Sequence, residues 1–206
     1  TDDYVTRFGL LPREGGAADI RWFDVETGYV FHPLNTYERA DGTLVMDAIR
    51  HDRMFDHDRA GPHEGPTALR RYTFDLASGT ASEEVLDDRP AELPRMNETL
   101  TGRENRYGYA IAFGESGEHG DTYKYDLVAG RTEALSHGPG RVSLEPVFVP
   151  REGGTAEDDG WLVQVVYDGG RDGSDLVITH AQDLAGGPVA TVTLPQRVPF
   201  GFHGNW

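Results

Sequence analysis

The sequence predicts an all-β protein, and within that class a β-propeller, from three observations. Glycine (26) and proline (12) are plentiful among the 206 residues, which suits turns and denies helices the glycine-free stretches they need. Four segments share an Asp-aliphatic-x-x-Gly core, at Asp24–Gly28, Asp75–Gly79, Asp126–Gly130 and Asp183–Gly187, spaced 51, 51 and 57 residues apart. Two of them are entered by the same alternation, Tyr72-Thr73-Phe74 and Tyr123-Lys124-Tyr125, which marks a strand with one buried face. A strand, a turn and a strand recurring at this period indicate one repeat per propeller blade. Unrelated hairpins of a β-sandwich would share the same turn residues and remain the alternative.

The elements follow in order. Tyr29-Val30-Phe31-His32 is an aromatic, β-branched run ending at Pro33. Leu44–Ile49, Tyr107–Phe113, Trp161–Tyr167 and Pro188–Leu194 are further strand candidates. In each repeat the glycine supplies the positive φ of a tight hairpin turn. Glu152–Gly160, acidic and glycine-rich, is expected to be a solvated loop joining two strands, and no amphipathic helix stands out.

Composition excludes several functions. A formal net charge of −16 argues against a nucleic-acid partner, because phosphate binding needs a surplus of Lys and Arg. With no cysteine there is no disulfide framework, thiolate metal site or thiol nucleophile, consistent with a reducing, cytoplasmic setting. No apolar run reaches the roughly 18 residues of a membrane span. The chain begins at Thr1 rather than Met and shows no signal peptide, so N-terminal targeting information is not readable in it. Asn97-Glu98-Thr99 matches a glycosylation sequon of the kind that recurs by chance. No Gly-x-Ser-x-Gly elbow or phosphate-cradling Gly-Lys-Thr/Ser run is present.

Of eight histidines, the densest group is His51, His57 and His63 with Asp52, Asp56, Asp58 and Glu64. Intruding Arg50, Arg53 and Arg59, with Gly61-Pro62 and Gly65-Pro66, mark that stretch as an exposed loop. His119 and His137 fall in turns, and His180 is a packed or edge strand residue. His32 and His203 differ: each follows a phenylalanine, and each stands where a strand gives way to a proline or glycine turn. In a propeller, residues from distant blades meet around the axis, so both could reach one metal, and imidazole suits iron, zinc or copper. Two buried histidines bonded to backbone are the competing account. Glu92 and Glu145 each sit among apolar residues beside a proline. A buried carboxylate must be paired, either to the proton on the far ring nitrogen of a metal-binding histidine or to an arginine.

Three stretches, Phe31–Glu38 (FHPLNTYE), Ala91–Arg95 (AELPR) and Glu145–Arg151 (EPVFVPR), followed by Glu157–Trp161, Ala181–Leu184 and Phe202-His203-Gly204, resemble the carotenoid cleavage oxygenase family. That family includes the apocarotenoid, lignostilbene and retinoid-isomerising relatives. The resemblance runs from about Phe8 to Trp206. It implies a seven-bladed propeller, of which residues 1–206 are the C-terminal part of a single domain, an incomplete arc of about four blades. It also implies a non-haem iron(II) held by four histidines, with His32 and His203 as the third and fourth ligands and Glu92 and Glu145 as two of three orienting glutamates. The remaining ligands belong upstream of Thr1. The implied activity is dioxygenase cleavage of a carbon–carbon double bond in a hydrophobic conjugated substrate, a carotenoid, apocarotenoid or stilbene, with dioxygen as co-substrate and two carbonyl products. Phe31 is a candidate wall residue of the substrate tunnel, and peripheral membrane contact falls to the upstream parts. The alternatives are a non-catalytic propeller serving as scaffold or binding module, and a redox-neutral isomerase on the same iron.

Overall fold

The computed structural model describes residues 5–57, 64–114, 119–201 and 203–206. Strands β1 (Thr6–Leu10) and β2 (Arg21–Val25) form an antiparallel pair with Phe8 opposite Phe23. Strands β3 (Tyr29–Glu38), β4 (Leu44–His51), β5 (Thr67–Asp75) and β6 (Thr80–Asp87) make a four-stranded sheet in chain order. A second such sheet follows from β7 (Ala91–Arg95), β8 (Tyr107–Phe113), β9 (His119–Asp126) and β10 (Arg131–Leu135). The last contains β11 (Arg141–Ser143), β12 (Val147–Pro150), β13 (Gly160–Asp168), β14 (Gly173–His180) and β15 (Pro188–Thr193). In it β11 and β12 share one edge of β13, so they are one strand broken at Leu144-Glu145-Pro146. Each full sheet is an up-and-down antiparallel meander, the form of a propeller blade. Only two single-turn 3-10 helices occur among the described residues. No helix is long and apolar enough to cross a membrane.

The strands obey their period. β5 and β13 alternate buried and partly exposed positions, as a strand packed on one face must. Core clusters lie between successive sheets. Phe23, Met46, Tyr72 and Phe74 join the first and second; Leu34, Ile49, Leu69, Ala91 and Tyr125 join the second and third; Tyr109, Leu135, Phe148 and Leu162 join the third and fourth. Each fully buried Leu, Ile or Phe among these contributes about 1.5–3 kcal/mol. β15, exposed along its whole length, begins at Pro188, which fits the outer edge of a blade.

Three of the four repeated segments are the expected hairpin turns. Gly79, Gly130 and Gly187 have φ of 73°, 61° and 73°, and the amides of Gly79 and Gly130 donate back to the Asp75 and Asp126 carbonyls at 2.9 Å. The first segment departs from the pattern: Asp24–Gly28 links β2 to β3 across two sheets. Gly28 is required there by crowding, since a Cβ would stand 2.2 Å from Nε of Arg50. The 152–160 segment is a loop, but it is not simply solvated. Asp158 is buried and pairs with Lys124 at 2.7 Å, and Glu157 accepts the amides of Arg106 and Tyr107. These bonds tie the fourth sheet to the third. Asn97 of the sequon is also buried, its side-chain amide donating to the Glu157 carbonyl, which leaves that nitrogen poorly placed for a glycan.

The first strands of the second and third sheets, β3 and β7, pack together, and Arg95 of β7 reaches Glu145 at the β11–β12 break. β7 also packs on β4, and side chains from β3, β7 and the β11–β12 break interlock. This shared inner edge carries the candidate site.

Candidate metal centre

His32 lies inside β3 rather than at its end, contrary to the sequence expectation: the strand runs on through Pro33 to Glu38. Proline is tolerated because β3 is an edge strand. Pairing with β4 slips between Val30 and Pro33 and again between Pro33 and Asn35, and such irregularities re-aim side chains. The imidazole reaches across to β7, where its Nδ1 is 2.7 Å from Oε2 of Glu92.

Glu92 is buried and accepts three hydrogen bonds. Besides His32, its Oε2 takes the amide of Leu93 at 2.6 Å, and its Oε1 takes Nε2 of His51 at 2.6 Å. The Leu93 bond has a conformational cause. Leu93 has φ of 52°, a left-handed state costly for a branched residue, and it accompanies a register slip between Glu92 and Arg95. Burial pushes the Glu92 carboxyl upward most strongly, but the bonds from His32, His51 and the Leu93 amide outweigh it and bring the pKa down to about 2. Glu92 is therefore an ionised acceptor, and the hydrogen in the His32 contact sits on Nδ1.

Glu145 occupies the break between β11 and β12 and is likewise buried. Its Oε1 lies 3.0 Å from Nδ1 of His203, and its Oε2 accepts from Arg95 at 2.7 Å and from the Gly204 amide at 2.9 Å. Arg95 also donates to the Gly204 carbonyl at 3.1 Å. The two partners considered for a buried glutamate, histidine and arginine, thus both hold Glu145. His203 follows β15 in an extended segment outside the sheets, so it too does not end a strand.

The two imidazoles come together. Their ring centroids are 5.0 Å apart at an interplanar angle of 73°, although 171 residues separate them in sequence. Both Nδ1 atoms face a carboxylate, so Nε2 is the atom that a metal would use on each ring. Phe31 is partly exposed and stacks on His32 at 5.7 Å. Tyr29 and Phe55 meet it edge-on at 4.7 and 6.0 Å, giving an aromatic cluster beside the histidines. A cavity of about 220 Å³ adjoins His203, with Val147, Val163, Leu176 and Trp206 among its lining residues.

Over residues 1–206 the chain matches the family described as RPE65, retinal pigment epithelial membrane protein. It is 44% identical over 214 residues to a carotenoid cleavage oxygenase of Mycobacterium tuberculosis, a match covering 98% of this chain and 42% of the relative. The chain belongs to the RPE65/carotenoid cleavage oxygenase family. Identity to the apocarotenoid-15,15'-oxygenase of Synechocystis is 34% over 207 residues, covering 96% of this chain and 42% of that protein. The crystal structure of cobalt-substituted Synechocystis ACO superposes with a TM-score of 0.91 at 33% identity, covering all of this chain and 44% of that one. The chain therefore spans about two fifths of the length of these family members, and its sheets are an arc of their propeller.

Two imidazoles, each held at Nδ1 by an ionised or hydrogen-bonded carboxylate and meeting ring to ring, fit part of a nitrogen-ligated site. Of the remaining described histidines, His51 reaches the site only through Glu92, and His137 and His180 lie apart from it. His137 bonds Thr122 at 2.8 Å, with burial and Arg141 pushing its pKa down, and His180 stacks on Trp161. Asp56, His57 and Glu64 are the one group of three potential ligands found within 4.8 Å among the described residues. They are a surface cluster in which Glu64 caps the amides of 56 and 57. Asp58 and His63, the His119 side chain and Phe202 lie outside the described residues.

Two residues of the site escaped the sequence reading. His51 was assigned to the exposed loop with Arg50, yet both close β4 and are buried. No local signal marked His51: the Leu44–Ile49 strand candidate runs on for two more residues because Arg50 and His51 pair with β3 and β5. Arg95 stood inside a recognised stretch, but nothing local to it points to Glu145, 50 residues on.

Proposed function

We propose that this chain supplies half of a four-histidine iron(II) centre in an oxygenase that cleaves a double bond of a conjugated, apolar substrate of the carotenoid, apocarotenoid or stilbene class. The observation that carries it is the meeting of His32 and His203, each backed by a buried glutamate, at one inner edge of the propeller arc. His32 and His203 would hold the metal through Nε2, and the other donors come from outside the 206 residues. Iron(II), when bound, would supply dioxygen activation.

The chain's own residues do the rest. Glu92 and Glu145 keep the proton on Nδ1 of each imidazole, fix the ring plane and raise the basicity of Nε2. Imidazole donors add no negative charge of their own, so His32 and His203 would hold a metal without neutralising it. Phe31, with Tyr29 and Phe55, offers an apolar wall against which an extended polyene can be held in one register, so that a single double bond is presented. Both atoms of dioxygen end in the two carbonyls, so no external reductant is required.

The test is metal analysis and product analysis of the whole protein with a polyene and a stilbene substrate. His203→Ala should lower iron content and turnover together. Two carbonyl fragments support cleavage. An unchanged carbon count would replace it with isomerisation, and undiminished turnover without iron would refute the metal role.

A further inference from the structure

We propose that His51 is a positioning residue of this centre: its Nε2–H pins the Glu92 carboxylate and, through it, fixes the tautomer and direction of His32. The inference rests on the metal site proposed above for His32. His51 closes β4, opposite Tyr29 on β3 and Thr67 on β5. Its ring is buried and wedged edge-on between Phe31, at 5.7 Å and 83°, and Phe113, at 6.2 Å and 79°. From this slot Nε2 reaches Oε1 of Glu92 at 2.6 Å.

The other ring nitrogen supplies the decisive detail. Nδ1 of His51 is buried and has no hydrogen-bond partner among the described residues. An ionised carboxylate only accepts, so the proton lies on Nε2, and Nδ1 keeps a bare lone pair among apolar neighbours. A ring present for packing alone would be served better by phenylalanine or leucine, which leave no buried polar atom unpaired. The polar capacity of His51 is therefore directed wholly at Glu92.

What this contact does follows from the geometry of a carboxylate. Held at one oxygen, the group turns about its last carbon–carbon bond. With Oε1 pinned by His51 and Oε2 by the Leu93 amide at 2.6 Å, its plane is set, and Oε2 meets Nδ1 of His32 from one direction. His32 needs that guidance because it lies within one register shift of its strand, between Val30 and Pro33, and just before another, between Pro33 and Asn35. The other carboxylate is held differently: Arg95 and the Gly204 amide both donate to Oε2 of Glu145, and His203 faces its Oε1. Arg95 brings a permanent cation to Glu145, whereas His51 offers Glu92 a single ring N–H.

The experiment compares His51→Gln, which keeps a donor near Nε2, with His51→Leu, and uses His51→Phe if leucine prevents folding. In the metal-free whole protein, nitrogen-15 NMR of the imidazoles reads the His32 tautomer. Iron(II) affinity is then measured by chelator competition. The expected result is Nδ1–H on His32 in the native protein and the glutamine variant, and loss of the single tautomer in the apolar variants. Iron affinity should fall about 10- to 100-fold in the apolar variants and recover to within a few-fold with glutamine. Apolar variants that keep the native tautomer and affinity, or a glutamine variant as weak as leucine, would overturn the assignment. A native protein that binds no iron, yet whose His32 tautomer still follows the His51 series, would remove the metal reading and leave the positioning role standing.

Discussion

Replacing Glu92 withdraws one acceptor group from three donors at once, and the structure sets the scale of the damage. Two of those donors, Nε2 of His51 and the Leu93 amide, are buried. The His32 side chain is 23% exposed, so water can take over there. Orphaning a buried donor costs about 1–3 kcal/mol, and breaking a buried charged network about 3–5 kcal/mol. Glu92→Leu should therefore lose about 3–5 kcal/mol. Glu92→Gln has the same shape and keeps one acceptor, which can serve His32 and Leu93. Its NH₂ then faces His51, which must move its proton to Nδ1, where no acceptor stands among the described residues. One orphan remains, so glutamine should cost about 1–3 kcal/mol. Equilibrium unfolding in urea at neutral pH reads both, with the slope unchanged if the native state is intact. A leucine variant within 1 kcal/mol of the native protein, or a glutamine variant as damaged as leucine, would refute the account of Glu92 as a three-donor hub.

Other outcomes follow from the same coordinates. Arg95→Met should free the 203–206 segment, because Arg95 holds both Glu145 and the Gly204 carbonyl; hydrogen exchange at Gly204 should quicken while the β13 amides stay protected. Stability should fall in acid through Glu92. Its pKa is depressed from 4.5 to about 2 on folding, so its contribution is complete above pH 4.5 and disappears as the pH drops through 2, an amount on the order of 3 kcal/mol. Urea titrations in Glu92→Gln should lack that part of the acid slope, and an unchanged slope would exclude Glu92 as its source. Gly130→Ala, at φ of 61° with open space around the site, should cost roughly 1 kcal/mol from backbone strain alone. A larger thermal loss would mean that the turn does more than reverse the chain.

The strands and three of the four turns were legible because both are local. Tyr72-Thr73-Phe74 and Tyr123-Lys124-Tyr125 alternate as a half-buried strand must, and the glycines four residues after Asp75 and Asp126 occupy the left-handed region. The Asp24–Gly28 segment misled for the opposite reason. Its residues match the turn, but its glycine answers to Arg50 packing across it, a contact invisible in the local string. His51 misled similarly: flanked by Arg50, Asp52 and Arg53, it has the composition of a surface loop, and only the pairing of β4 between β3 and β5 buries it.

By itself the chain determined most of its strands, while His32 and His203 became expected ligands through the family resemblance. It also marked Glu92 and Glu145 as candidates, since a lone glutamate amid apolar neighbours must find a partner wherever it lands. Which partner it found was a tertiary decision. Only stacking the sheets side by side carried His32 to Glu92 across 60 residues and His203 to Glu145 across 58. The same stacking then fitted His51 and Arg95 behind them. Hydrogen bonds of 2.6–3.0 Å depend on where strands end up in space, and sequence spacing holds no record of that.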